Sequence, residues 1–108
     1  MKIIDTVELL EKTIDENEMV LLYFGTNSCG VCVDVKSKVE DMLKKYPNIK
    51  AYQVDIDDSI KIATNYSIFT IPAILLFIRG KETIREARHI SILDLDKKIA
   101  RYYTLLFD

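Results

Sequence analysis

Cys29 and Cys32, in the stretch NSCGVC at 27–32, are the two cysteines of a 108-residue chain. Random placement would put two cysteines three positions apart only about 2% of the time, so the spacing points to chemistry. The stretch follows a short apolar run ending in glycine, MVLLYFG at 19–25, and leads into a segment of helical periodicity. Cys29 is therefore expected at a strand-to-helix junction. There the first helical turn offers unpaired N–H groups and the positive end of its dipole, and both favour thiolate over thiol. A thiolate at neutral pH is a nucleophile. Cys32, one turn further in and more shielded, suits the second half of an exchange, in which it attacks a mixed disulfide formed by Cys29.

Other uses of the pair compete. A zinc site needs about four ligands, and the chain offers two cysteines and one histidine, His89, besides carboxylates. Two thiolates shared across a dimer would suit an iron–sulfur or metal carrier. A structural disulfide would close a tiny loop and constrain little of the unfolded chain. Incidental thiols used as small apolar residues are the plainest alternative. Against that stands the position just past an apolar strand, where sites in α/β folds gather.

The elements that must hold the pair follow from periodicity. DTVE at 5–8 predicts a helix starting at Asp5, with Val7, Leu10 and Ile14 as its apolar stripe. Residues 19–25 read as a strand buried on both faces. A helix over 30–46 follows, with Val35, Val39, Met42, Leu43 and Tyr46 inward and Pro47 stopping it. A strand at 49–56 completes a strand–helix–strand unit, which implies a right-handed crossover and parallel pairing. A short helix at 58–66 precedes a strand at 73–79. Gly80-Lys81 reads as a two-residue hairpin loop, returning the chain at 82–88. SILD at 91–94 opens a last helix to 106, with Leu95, Ile99, Tyr102, Tyr103 and Leu106 buried. The fold class is α/β: a mixed sheet, parallel then antiparallel, with helices on both faces.

Composition narrows the partners. The chain is 49% hydrophobic and 30% charged, a globular balance, and its length suits one domain over 1–108. A net charge of −2 gives no electrostatic basis for binding nucleic acid or an anionic membrane. The longest apolar run, AILLFI at 73–78, falls far short of the roughly 20 residues a membrane helix needs. MKIIDTVELLEK turns acidic by its fifth residue and lacks a signal-peptide core. A soluble cytoplasmic protein is expected, and in that reducing compartment a Cys-x-x-Cys pair is more often catalytic or metal-binding than structural.

The order of elements, CGVC after the strand at 19–25, YSIFTIP at 66–72 before the hairpin and Gly80 in it, resembles the thioredoxin family over nearly the entire chain. The resemblance implies a thioredoxin-like fold and a thiol–disulfide oxidoreductase that reduces protein disulfides. Cys29 would be its nucleophile and Cys32 its resolving thiol. It implies a cis Ile71–Pro72 bond, with the Ile71 backbone free to pair with a substrate strand. Candidate substrate contacts are Ser28, Gly30 and Val31 around the cysteines, and Ile71, Pro72 and Arg88 opposite them. No bound cofactor is implied; electrons would come from NADPH through a flavin reductase. The expected partners are that reductase and disulfide-containing proteins, met by a monomer. The alternative is a non-enzymatic binding module using the same groove.

The departures from the family are specific. Ser28 replaces the usual tryptophan, which removes a flat apolar platform, and is expected to cap the active-site helix. Val31 replaces the usual proline. Tyr23 stands where thioredoxins often bury an aspartate that handles the second cysteine's proton. A phenol with a pKa near 10 is no neutral-pH base. Tyr23 then either fills core only, or its presence slows resolution or sends the proton out through water. With Gly80-Lys81 as the loop, residue 73 faces 88 and 72 faces 89, which returns Arg88 and His89 to the Pro72 end. The family usually has a small or apolar residue, often glycine, where this chain has Arg88. A guanidinium there would favour the Cys29 thiolate and attract anionic disulfides; the competing reading is a solvated charge at a strand end. His89 reads as an exposed loop histidine.

Overall fold

The computed structural model describes residues 1–107. Its elements are β1 (Lys2–Ile3), α1 (Val7–Glu16), β2 (Met19–Gly25), α2 (Gly30–Leu43), β3 (Lys50–Asp55), α3 (Ile60–Asn65), β4 (Ala73–Ile78), β5 (Lys81–Ala87) and α4 (Ile92–Phe107). The five strands form one sheet in the order β1-β3-β2-β4-β5. β1 and β2 pair with β3 in parallel, while β2–β4 and β4–β5 are antiparallel.

β2 lies at the centre and all seven of its residues are buried. Its side chains alternate between faces, as the pleat requires. Met19, Leu21 and Tyr23 join Ile74 and Leu76 under Val39 and Met42 of α2 and Leu95 and Ile99 of α4. Val20, Leu22 and Phe24 join Val54, Ala73 and Leu75 under Leu10 and Ile14 of α1 and Ile62 of α3. Helices thus cover both faces, and the uninterrupted apolar run of β2 is the sequence of a strand with no wet side.

Several boundaries differ from the sequence reading. Thr6, not Asp5, caps α1, its hydroxyl accepting from the Leu9 N–H at 3.2 Å. α2 ends at Leu43 rather than 46; the N–H groups of Lys44, Lys45 and Tyr46 reach back three residues to Asp41, Met42 and Leu43, tightening the last turn before Pro47. Tyr46 stays buried and donates its hydroxyl to the Asp96 carboxylate, which also receives Lys45. The two-residue β1 was not foreseen; a strand that short shows no alternation. In α4, Ser91 caps the Asp94 N–H as expected, but Tyr102 lies at the surface beside Leu105.

The hairpin turns one residue earlier than expected. Arg79 and Gly80 hold positive φ of 50° and 82°, and Ile78 faces Lys81. Positive φ at both central residues is the habit of the turn that matches strand twist. A bulge at Thr83 then shifts the ladder, so Ala73 faces Ala87 rather than Arg88. At the strand's end it is Arg88, not His89, whose N–H donates to the Pro72 carbonyl, at 3.0 Å.

Candidate active site

The site forms at the C-terminal edge of the sheet. β2 ends at Gly25, Thr26 to Ser28 make the turn, and Cys29 takes the N-cap position of α2 with extended backbone (φ −94°, ψ 105°). Ser28 is therefore not the cap; its hydroxyl lies 3.2 Å from that of Thr26. The cap acceptor is sulfur, with Cys29 Sγ receiving the Cys32 N–H at 3.1 Å. That N–H is one of the donors a helix start leaves without a backbone partner, and a donor there favours negative charge on the sulfur it contacts.

Cys29 and Cys32 are joined as a disulfide with a Cα–Cα distance of 5.2 Å. Cys29 is half-buried, whereas Cys32 is only 2% exposed. An incoming sulfur can therefore reach Cys29 far more readily than Cys32. Gly25 makes the burial of Cys32 possible. A Cβ at Gly25 would stand 3.0 Å from Cys32 Cβ and 3.3 Å from its Sγ, closer than side chains pack. Sequence reasoning passed over this role, although a glycine ending an apolar strand four residues before a cysteine was the available signal.

Behind Cys32, Tyr23 pairs across the sheet with Gln53 and Ile74. Its hydroxyl donates to the Cys32 carbonyl at 2.5 Å. Burial pushes the Tyr23 phenol up to about 12, against a smaller lowering by the Lys36 backbone N–H. Tyr23 thus fills core and also ties the first turn of α2 to β2, as a donor that keeps its proton. A cavity of about 120 Å³ adjoins it, with Cys32, Gln53, Asp55 and Asp58 among its lining residues. Its size and polar walls suit water.

The other flank comes from β4 and β5. Phe24 faces Ala73 and Gly25 faces Asp55, so the register sets Asp55, Gly25 and Pro72 side by side, and the Arg88 bond extends the row to β5. The Ile71–Pro72 peptide is cis, Pro72 is buried and Ile71 half-buried. Gly30 is exposed with open space where a Cβ would stand, and Val31 is 60% exposed. Arg88 and His89 are both exposed, and Arg88 holds φ 65°. Phe69, 88% exposed just ahead of Ile71, was not singled out from sequence. Among the described residues, no group of three or more His, Cys, Asp or Glu side chains could hold a metal ion.

Comparison with known proteins agrees with this geometry. The Thioredoxin family model matches residues 2–101. Thioredoxin-like protein YdfQ of Bacillus subtilis (strain 168) is 35% identical over 96 residues, covering 89% of this chain and 86% of the relative. The thioredoxin of Griffithsia pacifica is 33% identical, covering 75% and 74%. Among solved structures, Fasciola hepatica thioredoxin superposes with a TM-score of 0.85 at 30% identity, covering 94% and 98%. Plasmodium falciparum thioredoxin gives the same TM-score at 22% identity, covering 94% and 99%, which bears on the fold alone. With its Cys-x-x-Cys disulfide at the mouth of α2, the chain belongs to the thioredoxin family and is a thiol–disulfide oxidoreductase.

Proposed function

We propose that the protein works in the reducing direction, with Cys29 as nucleophile and Cys32 as resolving thiol. The observation that carries this reading is the unequal access of the two sulfurs, with the accessible one capped by a helix N–H. The Cys29 thiolate attacks one sulfur of a substrate disulfide, forming a mixed disulfide and expelling the other as a thiolate. Cys32 then loses its proton and attacks Cys29 Sγ, which releases the second substrate sulfur and closes the Cys29–Cys32 disulfide. Two electrons pass to the substrate. A flavin reductase drawing on NADPH would restore the dithiol, and a monomer in a reducing compartment such as the cytoplasm fits this direction. Ile71 and Pro72 form one wall of the substrate groove, and Ser28, Gly30 and Val31 the other.

The test combines turnover and trapping. The wild type should reduce the interchain disulfides of insulin with dithiothreitol as donor. Cys29→Ser should abolish this, and Cys32→Ser should accumulate a mixed disulfide visible on non-reducing gels. Trapping by Cys29→Ser instead would reverse the assignment. Binding of partner proteins unaffected by loss of both cysteines, without turnover, would favour the binding module. A reduction potential near −270 mV, roughly that of thioredoxin, supports reduction, whereas a value near roughly −120 mV would mean disulfide donation.

A further inference from the structure

We infer that the groove selects disulfides whose cysteine has an acidic neighbour on the β5 side, with Arg88 as the residue that reads it. This inference rests on the function proposed above. Arg88 holds φ 65°, the left-handed region that an arginine enters at a cost and a glycine freely. Its N–H bond to Pro72 is made by backbone, which any residue but proline would supply. Neither the turn nor the bond calls for an arginine, so a reason must lie in the side chain. That side chain is exposed, and among the described residues the guanidinium forms no ion pair. A strained, unpaired charge at the rim of a groove is the kind of outlier from which function is argued.

The sheet register gives the charge a direction. Across the active-site edge the row runs Asp55, Gly25, Pro72, Arg88, with the cysteine pair above its middle. At strand spacing the two charged ends lie roughly 14 Å apart. Asp57 and Asp58 follow Asp55 on one side, where Lys36 lines the same cavity as Asp55 and Asp58, and His89 follows Arg88 on the other. A substrate segment laid along Ile71 meets positive charge toward β5 and negative charge toward β3. An acidic residue one or two positions from the attacked cysteine, roughly 3–7 Å along an extended chain, falls within reach of the guanidinium.

The probe is a set of peptide disulfides that differ only in carrying Glu, Gln or Lys next to the cysteine or one position beyond. Reduced wild-type protein should react in the order Glu, Gln, Lys, with steps of roughly three- to five-fold at low salt, as suits a solvent-exposed pair. The order should flatten in high salt. Arg88→Gly should collapse the Glu-to-Gln ratio toward one, without lowering Tm, because glycine relieves the strained backbone. Arg88→Glu should reverse the ratio. An unchanged ratio in both variants overturns the inference while leaving the oxidoreductase reading intact. Failure of the wild type to reduce any of the peptides or insulin would overturn that reading, and this inference with it.

Discussion

Replacing Tyr23 by phenylalanine separates two roles that the position behind Cys32 can have. The ring is buried in the α2–α4 face of the core, and its hydroxyl donates to the Cys32 carbonyl at 2.5 Å with the Lys36 backbone N–H beside it. Phenylalanine keeps the ring and removes only the hydroxyl. A neutral hydrogen bond contributes about 1 kcal/mol net, and the Cys32 carbonyl, inside a helix, keeps a backbone partner, so the loss should stay near that value. For a domain of this size that lowers Tm by roughly 4–8 °C. The phenol titrates only near 12, so it has no proton to exchange at neutral pH. Stopped-flow reduction of a fluorescent disulfide, followed from about pH 5 to 9, should therefore show a release step changed less than roughly threefold, with the same pH dependence. A tenfold loss, or the disappearance of an inflection, would show that Tyr23 takes part in proton transfer and would refute the reasoning. Tyr23→Asp is the complement. It buries a carboxylate whose pKa in the folded state must rise above its unfolded value, so the variant should be most stable in acid and lose stability as pH climbs through the raised pKa. Its release step should accelerate.

Gly25→Ala would set a methyl group 3.0 Å from Cys32 Cβ, and overpacking of this kind costs about 1–3 kcal/mol. It should lower Tm and shift the Cys29–Cys32 reduction potential; a variant unchanged in both would mean that Cys32 moves aside freely. Asp96 is held below its ordinary carboxylate range first by Lys45 and then by Tyr46. A lowered folded pKa adds stability above the unfolded value, and that stability is lost as pH falls through the lowered one. Asp96→Asn should therefore reduce Tm at neutral pH, and the two Tm curves should converge in acid. Parallel curves throughout would exclude the ionic contribution.

The strands and the cysteine pair were legible because each rests on a local signal. The run of β2 is apolar at every position, and only a strand covered on both faces demands that. The cysteines stand three apart directly after it. What escaped depended on contacts between distant residues. Ser28 has the residue type of a cap, yet Cys29 takes that place because its sulfur reaches the Cys32 N–H and the serine turns toward Thr26. Gly25 looked like a strand terminus until Cys32 was seen packed against it. Tyr102 sits at helical spacing from Leu95 and Ile99, but it lies at the β5 edge beside Thr83, Ile84 and Leu105, where its ring is exposed. β1 is two residues long and is defined by its partner, Tyr52 and Gln53 of β3, rather than by any pattern of its own.

The hairpin shows how far a one-residue error travels and what can halt it. Placing the loop at Gly80-Lys81 assumes that glycine takes the first loop position, whereas the chain sets Arg79 there at φ 50° and Gly80 second. Arg79 is held by its N–H to the Glu18 carbonyl at 2.9 Å and by its guanidinium to the Glu18 carboxylate at 2.8 Å. These contacts come from the segment before β2 and are invisible in the hairpin's own sequence. Turning there advances every pairing by two positions relative to the expected register, and the bulge at Thr83 returns one of them. The remaining single step reverses which side of the sheet each β5 residue beyond Thr83 faces, since side chains alternate. It also decides the chemistry at the far end, because Arg88 rather than His89 becomes the residue bonded to Pro72. The side chain borne by that residue is then a planar guanidinium rather than an imidazole. Discrimination by this groove should accordingly weaken as salt screens the guanidinium charge, and an order of Glu, Gln and Lys peptides that salt leaves unchanged would refute the assignment.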